Sequence, residues 1–296
     1  MPRDPFSRSK SRSYEAQETG NVGSAVKEYC PENAVVLMPR IPQDETLKDA
    51  GHAKDESEVV EAIILAGGLG TRLRPIVSAA PKAMAEVAGR PFLEYLLGQL
   101  RAEGITRAVV CTGYMADAIA GHFGDGEQWG MELRYSVEFE ARGTAGALKL
   151  AERMLTGDRW LLMNGDSLFD ISLQHLINAH ATGPALVTIA LARVADGHRY
   201  GRVTLSPDGM ISAFAEKTDA ATPGLINGGI YVVERQVLDQ IPADRSVSLE
   251  REVFPNLVRN SIRGVPFDAY FIDIGVPDDF LRAQIETELL DRLVTR

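Results

Sequence analysis

The chain has 296 residues, of which 45% are hydrophobic and 24% are charged, and its formal net charge is −10 at pH 7. This composition is ordinary for a globular enzyme with a sizeable core, and the acidic balance argues against a general partner of nucleic acid or of an anionic membrane. The presence of only two cysteines predicts no disulfide framework and favours the cytoplasm. No apolar run is long enough to cross a membrane, so we expect no membrane partner.

Residues 1–58 differ in composition from the rest of the chain. They are rich in Ser, Glu, Lys, Arg and Pro and contain only brief apolar patches, so they cannot bury enough surface to form a core. We therefore predict a poorly structured N-terminal extension. Its basic start is typical of a docking arm or of a solvated tail, and the tail is the simpler interpretation. Residues 59–296 are predicted to form one folded domain.

From Glu61 onwards, predicted strands and helices alternate. This order indicates an α/β fold: a doubly wound, mostly parallel, Rossmann-like mixed sheet with helices on both faces. Beyond Tyr200, shorter predicted strands separated by turns indicate a smaller β-rich part. The predicted strands are 62–66, 108–111, 133–137, 160–163, 186–191, 202–205, 211–215, 229–233 and 271–274, and the predicted helices are 91–103, 114–123, 145–154, 173–180 and 277–294.

A glycine-rich stretch directly follows the first predicted strand, and it contains cations but no acid as far as Glu86. Glycines expose backbone N–H groups because no Cβ blocks a close approach. Together with nearby Arg and Lys side chains, such N–H groups form a cradle for phosphate oxygens. We predict that a nucleoside triphosphate contacts Leu65, Ala66, Gly67, Gly68, Gly70, Thr71, Arg72 and Lys82.

Two other phosphate-binding motifs are excluded. The dinucleotide fingerprint requires a third glycine where Leu73 stands, and the P-loop requires a lysine directly after its last glycine, which is also missing. A dinucleotide-dependent oxidoreductase is therefore disfavoured. A tight turn without function would not need this local excess of cations.

Two aspartates each follow a short apolar run. Asp166 comes after Asn164-Gly165, and Asp273 precedes Gly275. The carboxyl ends of parallel strands form the ligand-binding edge of such sheets, and Mg²⁺ prefers one or two carboxylates with phosphate oxygens and water. Either aspartate alone would be interpreted as a turn or cap residue, but the two together predict a magnesium site.

Residues 65–75 together with Pro81-Lys82 resemble the signature of the sugar-1-phosphate nucleotidyltransferases, L-A-G-G-x-G-T-R-L-x-P followed by P-K. The resemblance extends from about Glu61 to the C-terminus, so residues 59–296 are interpreted as a nucleotidyltransferase domain. It implies that Arg72, Lys82 and Asp166 are catalytic, that Asp166 and Asp273 bind the metal, and that Gly143 lies near the base.

The resemblance also implies where the sugar 1-phosphate binds. Glu-Lys and Asn-Gly-Gly runs stand at the family's matching places, and a Tyr-Gly pair matches a position near the sugar. Taken alone, a Glu-Lys pair is usually solvated surface. The implied sugar-phosphate-binding residues are Tyr200, Gly201, Glu216, Lys217 and Asn227.

Within the family, the chain is most similar to the D-glycero-D-manno-heptose 1-phosphate guanylyltransferases, which would make GTP the nucleotide and heptose 1-phosphate the acceptor. Mannose-1-phosphate and other hexose-1-phosphate enzymes are the alternatives. A different class, a non-catalytic subunit that senses nucleotide or sugar, is disfavoured because such relatives lose the arginine or the metal carboxylates. The apolar stripe of the last predicted helix packs on the domain or on a second subunit, which leaves a homo-oligomer open.

Overall fold

A computed structural model shows a mixed sheet of nine strands, several of which have continuous apolar sequences. The predicted extension 1–58 lies outside the described residues, which are 61–68, 70, 72–73, 77, 80–195, 200–215, 222–243, 245–258 and 261–294. The strands are β1 (Glu61–Leu65), β2 (Glu86–Val87), β3 (Arg90–Pro91), β4 (Arg107–Thr112), β5 (Glu132–Val137), β6 (Arg159–Asn164), β7 (Ser167–Phe169), β8 (Val187–Val194), β9 (Arg202–Leu205), β10 (Ile211–Ala215), β11 (Gly224–Glu234), β12 (Ile262–Phe267) and β13 (Phe271–Asp273).

The sheet combines a parallel half with an antiparallel half. Strands β6, β1, β4 and β5 lie side by side and parallel. On the other side of β6, the long strand β11 runs antiparallel to β6, β8 and β9, and β12 is parallel to β8. Two small antiparallel pairs, β2–β3 and β7–β13, lie outside the main sheet. The predicted fold class, a mostly parallel mixed sheet with a smaller β-rich part, is confirmed.

Helices cover the sheet, and most begin and end close to the predicted positions. They are α1 (Phe92–Ala102), α2 (Ala116–Phe123), α3 (Gly143–Ala151), α4 (Leu173–Ala181), α5 (Phe254–Leu257), α6 (Pro277–Ile285) and α7 (Thr287–Val294). In the part of the chain that the structure describes, no helix has the length and apolar character needed to cross a membrane.

The predicted single helix 277–294 is wrong, because the chain breaks at Glu286. Glu286 ends α6 with its N–H bonded to the Arg282 carbonyl at 3.0 Å. Its carboxylate accepts a hydrogen bond from the Tyr270 hydroxyl at 2.6 Å. A contact between residues distant in sequence therefore holds Glu286 outside the helix, which no local pattern could indicate.

Alternation along the strands divides the core between the two faces of the sheet. In β1, Ala62 and Ile64 pack into one hydrophobic cluster, and Ile63 packs into the other. Burial on both faces is why β1 has a continuous apolar sequence. The registers Leu65–Asn164 and Leu65–Cys111 align the ends of β1, β6 and β4, so the loops that follow these strands emerge at one edge.

Candidate active site

The glycine-rich turn leaves β1 between its two parallel neighbours. The Ala66 N–H donates to the Cys111 carbonyl at 2.8 Å, and the Gly165 N–H donates to the Leu65 carbonyl at 3.0 Å. These bonds fix the point from which the turn departs. Beyond it, Gly68 is exposed, as a backbone that receives a ligand must be.

Gly165 is required where β1 and β6 approach each other. A Cβ at this position would lie 2.7 Å from the Leu65 carbonyl oxygen and 3.1 Å from the Ala66 Cα. Because both neighbours are backbone atoms, they cannot move aside as a side chain can. The residue before Asp166 must therefore be glycine if the aspartate is to stand beside the glycine-rich turn.

We expect Gly165→Ala to lower the free energy of unfolding by about 1–3 kcal/mol through overpacking, and to reduce activity by displacing Asp166. Urea denaturation measures the first effect. The matched control is Gly121→Ala in α2, where no heavy atom lies within 4 Å of the new Cβ, and it should stabilise by about 0.5–1 kcal/mol. Equal unfolding midpoints for Gly165→Ala and the unaltered protein would contradict the packing argument.

Lys82 and the two predicted metal ligands form one cluster. The Lys82 Nζ donates a hydrogen bond to Asp166 Oδ2 and lies 3.9 Å from Asp273 Oδ1. The aspartates meet because β7 and β13 are paired with Asp273 opposite Ser167. In addition, the Ile274 N–H donates to the Asp166 carbonyl at 2.9 Å. Segments that are distant in sequence thus bring one cation against two carboxylates.

Gly70 and Gly275 leave room for the Lys82 side chain. A Cβ at Gly275 would lie 2.6 Å from Asp273 Oδ1 and 2.7 Å from Lys82 Nζ, and a Cβ at Gly70, whose φ is +58°, would lie 3.3 Å from Lys82 Cβ. Burial and the neighbouring charge of Asp166 raise the pKa of Asp273, whereas the Lys82 charge opposes this shift. The site therefore has an excess of negative charge that a further cation would relieve.

The residues present fit a magnesium ion shared with substrate. In the described part of the chain, no group of three or more His, Cys, Asp and Glu side chains is arranged to hold a metal. Asp166 and Asp273 would therefore share an ion with phosphate oxygens and water, as Mg²⁺ commonly does. Both carboxylates are about one-third exposed, at 37% and 31%, so their oxygens can be reached.

A cleft of about 400 Å³ opens beside the glycine-rich turn, and Glu138 stands in it. A Cβ at Gly67 would lie 2.5 Å from Glu138 Oε1, and a Cβ at Gly113 would lie 2.9 Å from Glu138 Cγ. The Arg142 N–H donates to Glu138 Oε2 at 3.1 Å. Desolvation by burial raises the pKa of Glu138, although the Arg142 N–H and charge oppose this shift. The carboxylate is thus held in place, with Oε1 against the glycine backbone.

The cleft is lined by large apolar side chains as well as by the acidic residues Asp117 and Glu140. Tyr114, Met115, Val137 and Phe139 all line it, and all are exposed, with Phe139 at 98%. Exposed apolar groups around a concave polar centre are typical of a ligand site. The sequence reasoning missed Glu138. The position of Glu138 directly after β5 could have indicated it, because β5 ends at the same edge of the sheet as β1 and β4.

The predicted sugar residues Tyr200 and Gly201 contact different strands. The Tyr200 hydroxyl donates to Asp279 Oδ2 at 3.4 Å, and its ring contacts Phe271 with centroids 6.0 Å apart. A Cβ at Gly201 would lie 3.1 Å from the Ala215 carbonyl oxygen. Tyr200 therefore contacts β13, the strand that carries Asp273, while Gly201 packs against β10.

Asn227 stands at an irregularity in β11, where its pairing with β8 shifts register. Its Oδ1 accepts a hydrogen bond from the Gly229 N–H at 2.9 Å, and its Nδ2 donates to the Tyr231 hydroxyl at 2.9 Å.

The structure gives its own reason for a glycine at position 143. The φ of Gly143 is +71°, and a Cβ there would lie 2.5 Å from the Val247 carbonyl oxygen. Its predicted role beside the base stays a prediction.

Of the remaining predicted site residues, the structure describes Arg72 but not Thr71, Glu216 and Lys217. Arg72 is exposed, and Leu73 behind it is buried; the Leu73 N–H donates to the Gly70 carbonyl at 2.9 Å. This bond closes a tight turn that leaves Arg72 at the surface. The predicted residues Thr71, Glu216 and Lys217 lie outside the described residues.

Comparison with known proteins agrees with this architecture. The profile of the nucleotidyl transferase family matches residues 61–289. The chain is 39% identical to the mannose-1-phosphate guanylyltransferase of Mycobacterium tuberculosis over 77% of its own length and 64% of that protein. It is 38% identical to the D-glycero-alpha-D-manno-heptose 1-phosphate guanylyltransferase of Aneurinibacillus thermoaerophilus over 77% of its own length and 99% of that protein.

A solved structure shows the same similarity in three dimensions. The crystal structure of HddC from Yersinia pseudotuberculosis, complexed with GMP-PN, superposes with a TM-score of 0.69 at 29% sequence identity. The matched region covers 77% of the present chain and 99% of HddC. About three-quarters of the present chain therefore corresponds to nearly all of HddC.

Proposed function

Because the chain belongs to the nucleotidyl transferase family, we propose that it is a sugar-1-phosphate guanylyltransferase. It transfers GMP from GTP to a sugar 1-phosphate, with D-glycero-D-manno-heptose 1-phosphate as the proposed acceptor, and releases pyrophosphate. The observation that carries the proposal is the Lys82 ammonium group set against Asp166 and Asp273 beside the glycine-rich turn.

The reaction needs charge neutralisation more than proton transfer. An oxygen of the sugar 1-phosphate attacks the α-phosphorus of GTP, the bond from that phosphorus to the bridging oxygen breaks, and its electron pair leaves with pyrophosphate. The attacking phosphate is mostly ionised near neutral pH because its second pKa is about 6, so no general base is required. Two polyanions must instead be brought together in line, and positioned cations supply most of the rate.

Each cation of the site has a role in this scheme. We assign Lys82 to the α-phosphate, Arg72 to the leaving phosphates and, from the sequence alone, Lys217 to the sugar phosphate. A divalent cation held by Asp166 and Asp273, for which we propose Mg²⁺, would neutralise phosphate oxygens. Before substrate binds, Lys82 is the counter-charge of both carboxylates, which keeps the ammonium group in position.

The Glu138 carboxylate gives a chemical reason why the site would select guanine over other bases. The Watson–Crick edge of guanine presents two N–H donors, N1–H and the N2 amino group, and a carboxylate is an acceptor for both. Uracil and thymine offer one donor between two acceptors, and their oxygens would face the negative charge. The cleft continues from Gly67, so a base placed there is connected to phosphates on the glycine-rich turn.

We expect Glu138→Gln to lower kcat/KM for GTP roughly 10- to 100-fold, because the amide places one donor against the donors of guanine. The preference for GTP over dTTP should fall by a similar factor. Pyrophosphate release with each triphosphate measures both. Glu132→Gln, at the exposed opposite end of β5, is the control. An unchanged ratio of GTP to dTTP would contradict base reading by Glu138.

A matrix of triphosphates against sugar 1-phosphates, with and without Mg²⁺, tests the function itself. We expect pyrophosphate release with GTP and heptose 1-phosphate. Preference for mannose 1-phosphate would favour the second candidate, which the mycobacterial relative supports. Nucleotide binding without turnover for any acceptor would favour a sensing subunit. We propose a cytoplasmic location, which the presence of only two cysteines favours.

A further inference from the structure

The irregularity in β11 at Asn227 is linked to the first turn of α3 by partly buried polar groups. Glu250 lies in a π-helical turn, Leu249–Val253, that precedes α5. Its Oε2 accepts hydrogen bonds from Thr144 Oγ1 at 2.8 Å and from Ser248 Oγ at 2.9 Å. Its Oε1 accepts one from the Tyr231 hydroxyl at 3.5 Å. One carboxylate thus joins the first turn of α3 to β11.

The chain of contacts continues from Tyr231 to residues 164–167, which we call the metal loop because they include Asp166, a proposed metal ligand. Asn227 Nδ2 donates to the Tyr231 hydroxyl, and Asn227 Oδ1 accepts from the Gly229 N–H, both at 2.9 Å. Gly229, with φ of +75°, has so little room that a Cβ would lie 3.0 Å from Asn164 Nδ2 and 3.1 Å from Ser167 Oγ. Asn164 and Ser167 flank Asp166 in sequence, so the position of the irregularity bears on the metal loop.

The direction of these bonds depends on Tyr231 keeping its proton. The ring is fully buried, and burial, followed by the charge of Glu250, raises the pKa of Tyr231 well above its usual value. A protonated phenol can accept from Asn227 and donate to Glu250 at the same time. Each link in the chain therefore has one donor and one acceptor.

We propose that Glu250 is a positioning residue: acting through Tyr231, it fixes the Asn227 amide and the adjoining glycines so that the sugar 1-phosphate is held in line with the nucleotide. This inference rests on the proposed guanylyltransferase function. Glu250 also anchors the first turn of α3 through Thr144, and the Leu249 N–H donates back to Thr144 Oγ1 at 2.8 Å. The two halves of the site are thus held at a fixed separation.

The decisive variants are Tyr231→Phe, which removes one oxygen atom, Glu250→Gln, and the double substitution. Each single variant should raise KM for the sugar 1-phosphate about tenfold, as expected when one buried hydrogen-bond link is lost, while KM for GTP stays within about twofold. The KM of the double variant for the sugar 1-phosphate should be no higher than that of the more impaired single variant, because both substitutions break the same chain of hydrogen bonds. Pyrophosphate release at varied concentrations of either substrate measures these constants.

The matched control is Glu252→Gln in the same turn. Glu252 pairs with the exposed Arg245 at 2.6 Å, and its other carboxylate oxygen accepts from the Ser248 N–H at 3.1 Å. A glutamine oxygen keeps the second bond, so both KM values should be unchanged. The inference would be overturned if the two single defects multiplied in the double variant, if both KM values rose equally, or if Tyr231→Phe left the sugar KM unaltered. Failure of the unaltered protein to release pyrophosphate with any acceptor would instead refute the proposed function, and the inference with it.

Discussion

Replacing Lys82 with methionine is expected to lower kcat/KM for pyrophosphate release by roughly 10²- to 10³-fold, the loss typical of one preorganised charge donor. The methionine stem preserves the packing against Gly70, where the glycine Cβ position is 3.3 Å from Lys82 Cβ. The variant should therefore fold. What it loses is the cation that faces Asp166 and Asp273 and that we assign to the α-phosphate.

The geometry further predicts that Lys82→Arg does not restore activity. The space beside Nζ is already so narrow that a Cβ at Gly275 would lie 2.7 Å from it, and a guanidinium group is larger than an ammonium group. Lys149→Met is the control, because that lysine pairs with Glu152 on α3 at 2.9 Å. Near-normal pyrophosphate release by Lys82→Met would contradict the assignment.

Arg72→Ala should lower turnover by a similar factor, roughly 10²-fold, but through a different substrate group. Arg72 is exposed, so its removal should leave the unfolding midpoint unchanged. If the leaving phosphates are its target, binding of pyrophosphate should weaken more than binding of GMP. Equal weakening of the two would refute that assignment.

Replacing either Asp166 or Asp273 with asparagine is the second large expected effect. Each change should lower kcat roughly 10²-fold or more at a fixed Mg²⁺ concentration, because an amide oxygen is a weaker ligand for a hard cation than a carboxylate. A higher Mg²⁺ concentration should be needed for half-maximal activity. Neither substitution changes side-chain size, and both side chains are partly exposed, so the fold should persist.

The Mg²⁺ titration separates metal binding from a general effect on the loop. Asp268→Asn is the matched control, because Asp268 lies just before β13 and pairs with Arg193 at the surface at 2.8 Å. It should titrate like the unaltered protein. A second readout is GTP affinity measured with and without Mg²⁺, whose ratio should shrink in both site variants. If Asp166→Asn and Asp273→Asn needed no more Mg²⁺ than the unaltered protein, the two aspartates would be ruled out as metal ligands.

The glycine-rich turn and most strands of the main sheet were predictable because their causes are local, whereas β12 was missed. The apolar run of β1 can only be a short buried strand, and the glycines after it have few other uses beside so many cations. The predicted edges of α1 and α4 are close to those observed because helix boundaries depend on neighbouring residues. The pairing of Asp166 with Asp273 followed from their places after short apolar runs, and the family resemblance implied the same pairing. The contact of both with Lys82 supports it.

Residues whose importance depends on a distant partner were missed. Glu138 matters because Gly67 and Gly113 leave room for it, and Glu250 matters because a turn late in the chain meets the start of α3. Neither lies in a motif with a mechanism of its own. Burial, direction and distance define them, and those quantities exist only once the chain is folded.

The amino-acid sequence by itself determined the α/β class, the glycine-rich turn and the reaction class, since these follow from periodicity, glycine placement and a long signature. The tertiary structure decided that the final segment is two helices, that Lys82 stands against two aspartates, that Glu138 lies in the cleft beside the glycine-rich turn, and that Glu250 meets the first turn of α3. The physical reason is that backbone conformation responds mainly to near neighbours. A hydrogen bond between residues 105 positions apart, such as that between Leu249 and Thr144, is set by how the sheet and helices pack.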